Sequence, residues 1–179
     1  MGSSCLFERM DVSMLRLRPY KRSDAAYIMQ WVPDEQANVA WCFNQLDWPL
    51  DQAAFDRYQA RIEEEPNSWI MTALDEAGTP VGCLSMKRAN YEEGRVHLAA
   101  IIVDSSRRGQ GLGTELLHLA CRYAFDLLGL TRVTLNVFEH NIGARVCYRK
   151  AGFRDVDYVP DVVRCGGVPW NRCVMARDK

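Results

Sequence analysis

Ser105 to Leu117 reads SSRRGQGLGTELL, placing three glycines and two arginines within nine residues before an apolar, helix-like pattern begins. Glycines at a helix mouth let backbone N–H groups converge on an anion, so the stretch reads as a phosphate-holding loop. Taken alone, it is equally a tight turn that starts a helix. Glycines at 109, 111 and 113 do not form the G-x-G-x-x-G of a dinucleotide fold, and no G-K-[ST] follows as a P-loop requires. Those folds also set the loop after the first strand of a parallel βαβ unit. Here SWIMTAL, VGCLSMKRA and RVHLAAIIV precede it, joined by the hairpin-length turns DEAGTP and NYEEG, which predicts an antiparallel meander.

The rest of the chain fills in around that meander. RVHLAAIIV is apolar on both faces from Leu98 to Val103, so it is expected to be central and covered by helices. After the loop, Leu112, Leu116, Ala120, Tyr123 and Leu127 make one helical stripe closed by Gly129. TRVTLNVF then reads as a strand buried through Val133, Leu135 and Val137, NIGARVCYRKA as a short helix ending at Gly152, and WNRCVMA as a last strand. Upstream, MLRLRP predicts a first strand, and Ser23 or Asp24 caps a helix AAYIMQW that Pro33 ends. Residues 34–49 read as irregular or broken helix, and Phe55, Tyr58 and Ile62 mark a further helix before Pro66. The order β-α-α-β-β-β-α-β-α-β predicts one mixed α/β (α+β) domain over residues 14–179, with residues 1–13 an N-terminal extension that need not be ordered.

Bulk properties narrow the class. A chain of 179 residues with 48% hydrophobic and 25% charged content is ordinary for a globular domain, and a formal net charge of -1 gives no general attraction to nucleic acid or anionic membrane. No apolar run nears bilayer-spanning length and MGSSCLFERMD lacks the apolar core of a signal peptide, so a cytoplasmic chain is expected. Seven cysteines without a C-x-x-C pair fit reduced thiols, most of them small core residues, and three histidines without zinc-ligand spacing predict no metal.

The loop gains meaning from a second motif. Arg108, Gly111 and Gly113 in RGQGLG, followed by Asn141, Ala144, Tyr148, Gly152 and Phe153 in NIGARVCYRKAGF, resemble the GCN5-related N-acetyltransferase (GNAT) family. The likeness runs from LRLRPYKRSDA to the final strand, strongest from about residue 80 to residue 154 and weak between 34 and 66. It implies a mostly antiparallel central sheet with one splayed pair of strands, helices on both faces, and acetyl-coenzyme A as co-substrate. The cofactor is then expected against Ile101, Ile102 and Val103, with its diphosphate on Arg108, Gly109, Gln110, Gly111, Leu112, Gly113 and Thr114, and with Asn141, Ala144 and Tyr148 alongside. Asn141 serves equally as a helix cap.

The same resemblance implies direct transfer of an acetyl group to the primary amine of a small molecule or peptide. Tyr148 is its expected acid, since a phenol of pKa about 10 stays protonated near neutrality and can supply a leaving thiolate. A backbone N–H near Ile102 is the expected donor to the thioester oxygen. His97 and Glu139 are the candidate bases. Trp31, Glu35 and Trp41, within a segment that also holds Asp34, Phe43, Asp47 and Trp48, are the candidate acceptor contacts, a mixture of rings and carboxylates suited to a cationic amine. A binding module that senses acyl-coenzyme A without turnover is the alternative, and transfer of a longer acyl group or to a hydroxyl shares the same motifs. A monomer or homodimer is expected.

Overall fold

A computed structural model describes residues 15–179, so the expected extension over 1–13, together with Met14 and Cys5, lies outside the described residues. Seven strands form one sheet in the order β1-β2-β3-β4-β5-β7-β6. β1 (Arg16–Pro19), β2 (Trp69–Leu74), β3 (Pro80–Asn90) and β4 (Arg95–Val103) pair antiparallel in sequence order, the last three joined by the expected hairpin turns and β1 reached through the intervening helices. β4 sits fourth of the seven, at the centre, where a strand apolar on both faces belongs. β5 (Arg132–Phe138) joins it as the parallel neighbour, and β7 (Val168–Asp178) pairs antiparallel with both β5 and β6 (Arg154–Cys165).

Helices cover both faces. α1 (Ala25–Trp31) and α3 (Gln52–Glu64) bury Ile28, Trp31, Phe55, Tyr58 and Ile62 against Ile70 and Cys83 on one side. On the other, α4 (Leu112–Arg122) and α5 (Ile142–Lys150) pack on Val133, Leu135 and Val137. Leu112, Leu116 and Leu117 of α4 are at most 4% exposed, and each such leucine stabilises the fold by about 1.5–3 kcal/mol relative to water.

Four local readings change. Residues Glu35–Cys42 form a regular helix, α2, because the Asp34 side chain accepts from the Ala37 N–H at 2.7 Å and supplies the missing cap. Asp24 does not cap α1: its carboxylate turns inward to Arg18, Thr72 and the Lys21 N–H. The chain gains the strand β6, turned into β7 at Gly166 and Gly167. A π turn over Tyr123–Leu127 continues α4 and shifts its stripe, leaving Leu127 74% exposed while Ala124 and Phe125 are buried. All six described cysteines are free, and among the described residues no helix is long and apolar enough to cross a membrane.

Candidate active site

The centre of the sheet opens. β4 and β5 stay paired only from Arg95 opposite Arg132 to Leu98 opposite Leu135, although β4 runs on to Val103 and β5 to Phe138. Against β3, the register of β4 slips by one residue between Ala99 and Ile102, and Ala100 takes φ +47°. That is a β-bulge: the extra residue bends β4 away from its parallel neighbour. A side chain at positive φ is an uncommon and strained choice, of the kind concentrated at functional sites. Beyond the last pair, the backbone groups on the facing edges have no strand partner, and the gap between them is part of a cavity of about 700 Å³.

One end of this cavity is the glycine loop. Asp104 accepts from the Ser106 N–H at 2.9 Å and opens a short turn over Ser105–Arg107. Gly109 at φ +78° and Gly111 at φ +81° follow, and neither has a neighbour within 4 Å of an added Cβ, so glycine is required there by the backbone and not by crowding. Gly111 caps α4 without a side-chain acceptor, which leaves the first N–H groups of the helix for a ligand. Gly113 is different: an added Cβ would stand 2.9 Å from Cys147 Sγ, so this glycine lets α4 and α5 approach. Arg107 is engaged with Asp75 at 3.0 Å, whereas Arg108 lines the cavity without an ion pair among the described residues.

α5 forms the adjoining wall. Asn141 accepts from the Ala144 N–H at 3.2 Å, so it caps the helix and still faces the cavity. Spacings of three and four carry Ala144 and Tyr148 to the same side. Tyr148 is 9% exposed, and burial pushes its hydroxyl above the ordinary phenol range.

Of the expected residues, Ile101, Ile102, Val103, Arg108, Gly109, Gly111, Leu112, Gly113, Thr114, Asn141, Ala144 and Tyr148 line this one cavity, with Trp31, Trp41 and His97. Gln110, Glu35 and Glu139 do not. Glu35 is exposed on α2. Glu139 is exposed too, accepts from Asn171 at 2.8 Å and from Tyr158 at 3.2 Å, and is held below the usual carboxylate range first by the Asn171 contact. His97 meets Thr134 Oγ1 through Nδ1 at 2.9 Å, and burial, with the charges of Lys87 and Arg172 second, lowers its pKa to about 4. Phe43, from the expected aromatic segment, lines the cavity too, while Asn136 and Arg172 are wall residues that sequence reasoning missed. The available signal is an arginine within WNRCVMA, the predicted last strand. Among the described residues no three His, Cys, Asp or Glu side chains converge on a common metal position.

A gap between strand edges suits the amides of a pantetheine arm, and a glycine cradle with a free arginine suits its diphosphate. The comparisons agree. The model of the acetyltransferase (GNAT) family matches residues 26–153. The spermidine N(1)-acetyltransferase of Escherichia coli (strain K12) is 28% identical over 139 residues, covering 78% of this chain and 72% of that protein. A probable N-acetyltransferase of Bacillus subtilis (strain 168) is 30% identical over 121 residues, 66% of each chain. In fold, the chain is similar to the spermidine N-acetyltransferase of Vibrio cholerae in complex with CoA and spermine, with a TM-score of 0.78 and 19% identity over 92% of this chain and 95% of that one. Another structure of the Vibrio enzyme is described as dodecameric. With a family match over most of its length and the splay, loop and tyrosine in one cavity, this chain belongs to the acetyltransferase (GNAT) family, the acetyl-coenzyme A-dependent N-acetyltransferases.

Proposed function

We propose that this enzyme passes the acetyl group directly to the primary amine of a small molecule or peptide, with Tyr148 as general acid and no side-chain base. The observation that carries the reading is the meeting of the splayed strand edges, the glycine loop and Tyr148 in a single cavity. When bound, the co-substrate supplies an activated acetyl thioester. Backbone groups of Ile101 to Val103 align it, the Ile102 N–H faces the thioester oxygen, and Arg108 with the N–H groups of Gly109 to Thr114 holds the diphosphate. Tyr148 keeps its proton at neutral pH, because burial disfavours the phenolate, and donates it to the sulfur as the carbon–sulfur bond breaks.

The base is a different matter. An imidazolium with a pKa of about 4 lies about six units below an alkylammonium of about 10.4, so moving the amine's proton onto His97 costs about 8–9 kcal/mol. The amine therefore enters neutral and releases its proton to water after attack, Tyr148 regains from water the proton it gave to sulfur, and His97 accepts a hydrogen bond. Glu139 stands outside the wall and takes no part. Trp31 and Trp41 border the acceptor's end.

The test is an acceptor panel of amines and peptides with free thiol as the readout. Thiol release with at least one amine is expected, and none from a broad panel refutes transfer. Tyr148→Phe is expected to lower turnover by about 10²–10⁴-fold while coenzyme A affinity changes no more than a few-fold. Equal rates for the two proteins remove Tyr148 from the acid role.

A further inference from the structure

The face of the sheet on which the acceptor arrives follows from register. Residues directly opposite one another share a face, and so do positions two apart on a strand. His97 is opposite Thr134 and bonded to it; Thr134, Asn136 and Phe138 alternate along β5; Phe138 is opposite Arg172. Phe43 stacks on Phe138 with ring centroids 3.9 Å apart, which brings the end of α2 to this face. Val133, Leu135 and Val137 point the other way, into the core under α4 and α5. Arg172 therefore shares the cavity wall with His97 and the aromatic segment, across the sheet from the helix that bears the diphosphate loop.

Two observations on that wall conflict with a polycationic acceptor. Among the described residues no aspartate or glutamate lines the cavity. Three of the nearby carboxylates are occupied elsewhere, Asp34 capping α2, Asp47 pairing with Arg57 at 2.9 Å and Glu139 binding Asn171 and Tyr158, and Glu35 is exposed on α2 outside the cavity lining. Conversely, the guanidinium of Arg172 has no ion pair or hydrogen bond among the described residues, and its Nε is buried without a partner. Only Nε is out of water; the terminal nitrogens open on the cavity with donors to spare, so an anion seated there would complete the set. The neighbouring imidazole is neutral near pH 7 and so neither pairs with this guanidinium nor adds a second positive charge to the wall.

We infer that the acceptor is a primary amine that also carries a carboxylate, an amino acid-type molecule, and that Arg172 binds the carboxylate through its guanidinium fork. This rests on the transfer reading above and names its substrate class. The planar fork matches a carboxylate with two parallel hydrogen bonds, which fixes where the amine end of a short molecule points. A polyamine would instead bring its second positive charge against Arg172.

The test uses matched amines on the intact enzyme: 4-aminobutyrate against 1,4-diaminobutane, and glycine and lysine against their carboxamides, each followed by thiol release. The carboxylate-bearing member is expected to have the higher kcat/KM by about tenfold or more. Arg172→Gln is expected to bring that ratio close to one, and Arg172→Lys to keep part of it, with coenzyme A affinity held within about threefold in both. A diamine or carboxamide used as well as the carboxylate, or an Arg172→Gln variant that slows both members equally, overturns the assignment. Tryptophan fluorescence titration with amino acids in the presence of coenzyme A reads the site without turnover. Saturable carboxylate binding that disappears in Arg172→Gln supports the site even if no amine in the panel releases thiol, an outcome that sinks transfer alone; no carboxylate binding overturns the site itself.

Discussion

Tyr148 and His97 face the same cavity, yet burial acts on them in opposite chemical directions. It raises the phenol, which keeps its proton, and lowers the imidazole, which loses one. The second effect has a consequence for stability. Because the folded pKa of His97, about 4, lies below its ordinary 6.5, the unfolded chain binds the proton first as pH falls. The contribution of a neutral His97 is thus fully present above about pH 6.5 and is lost progressively towards pH 4. By pH 5 the loss is about 2 kcal/mol, so urea melts at pH 7 and pH 5 are expected to differ more for the native enzyme than for His97→Asn by about that amount. An equal pH dependence in both proteins would show that His97 is not buried as described. Tyr148 was legible in the sequence because its motif places it in register with Asn141 and Gly152. The state of His97 was not, since its burial and the charges of Lys87 and Arg172 are brought to it by other strands.

At the scale of elements, the pair α4 and α5 explains which apolar and small residues matter. The added Cβ of Gly113→Ala would stand 2.9 Å from Cys147 Sγ, so the substitution is expected to cost about 1–3 kcal/mol, and Cys147→Ala in the same chain to recover most of it. Additive losses in denaturant melts would place the strain elsewhere. The π turn gives a second contrast: Leu116→Ala is expected to cost about 2–5 kcal/mol and Leu127→Ala less than about 0.5, although the sequence puts both on one stripe. A period of 3.6 residues is visible in a sequence; a single extra residue in one turn is not, because it is chosen by how the end of the helix meets the sheet. β6 was missed for a related reason. Most of Arg154–Cys165 is exposed, and its valines are interrupted irregularly by charged residues and Pro160, so no alternation marks it, and pairing with β7 is what makes it a strand. The bulge at Ala100 also escaped, since alanine carries no signal for positive φ.

For the whole molecule, the cavity lies between two parts of one sheet that are joined across β4 and β5 by only the pairs from Arg95 with Arg132 to Leu98 with Leu135. A ligand that bonds to both strand edges should therefore stabilise the assembled fold. Acetyl-coenzyme A at about 100 times its Kd is expected to contribute about 2.7 kcal/mol and raise Tm by about 5–10 °C in a thermal melt, with a smaller shift for Arg108→Ala at the same concentration. No shift for the native enzyme would contradict the placement of the co-substrate in the splay. The residues proposed for the donor half were legible in the sequence itself, because the glycine loop and the tyrosine helix are contiguous segments whose spacing survives folding. The acceptor wall was decided only by tertiary structure. Its residues come from α1, α2, β4, β5 and β7, and whether Glu35, Glu139 or Arg172 faces the cavity depends on strand register and helix placement that no local pattern records.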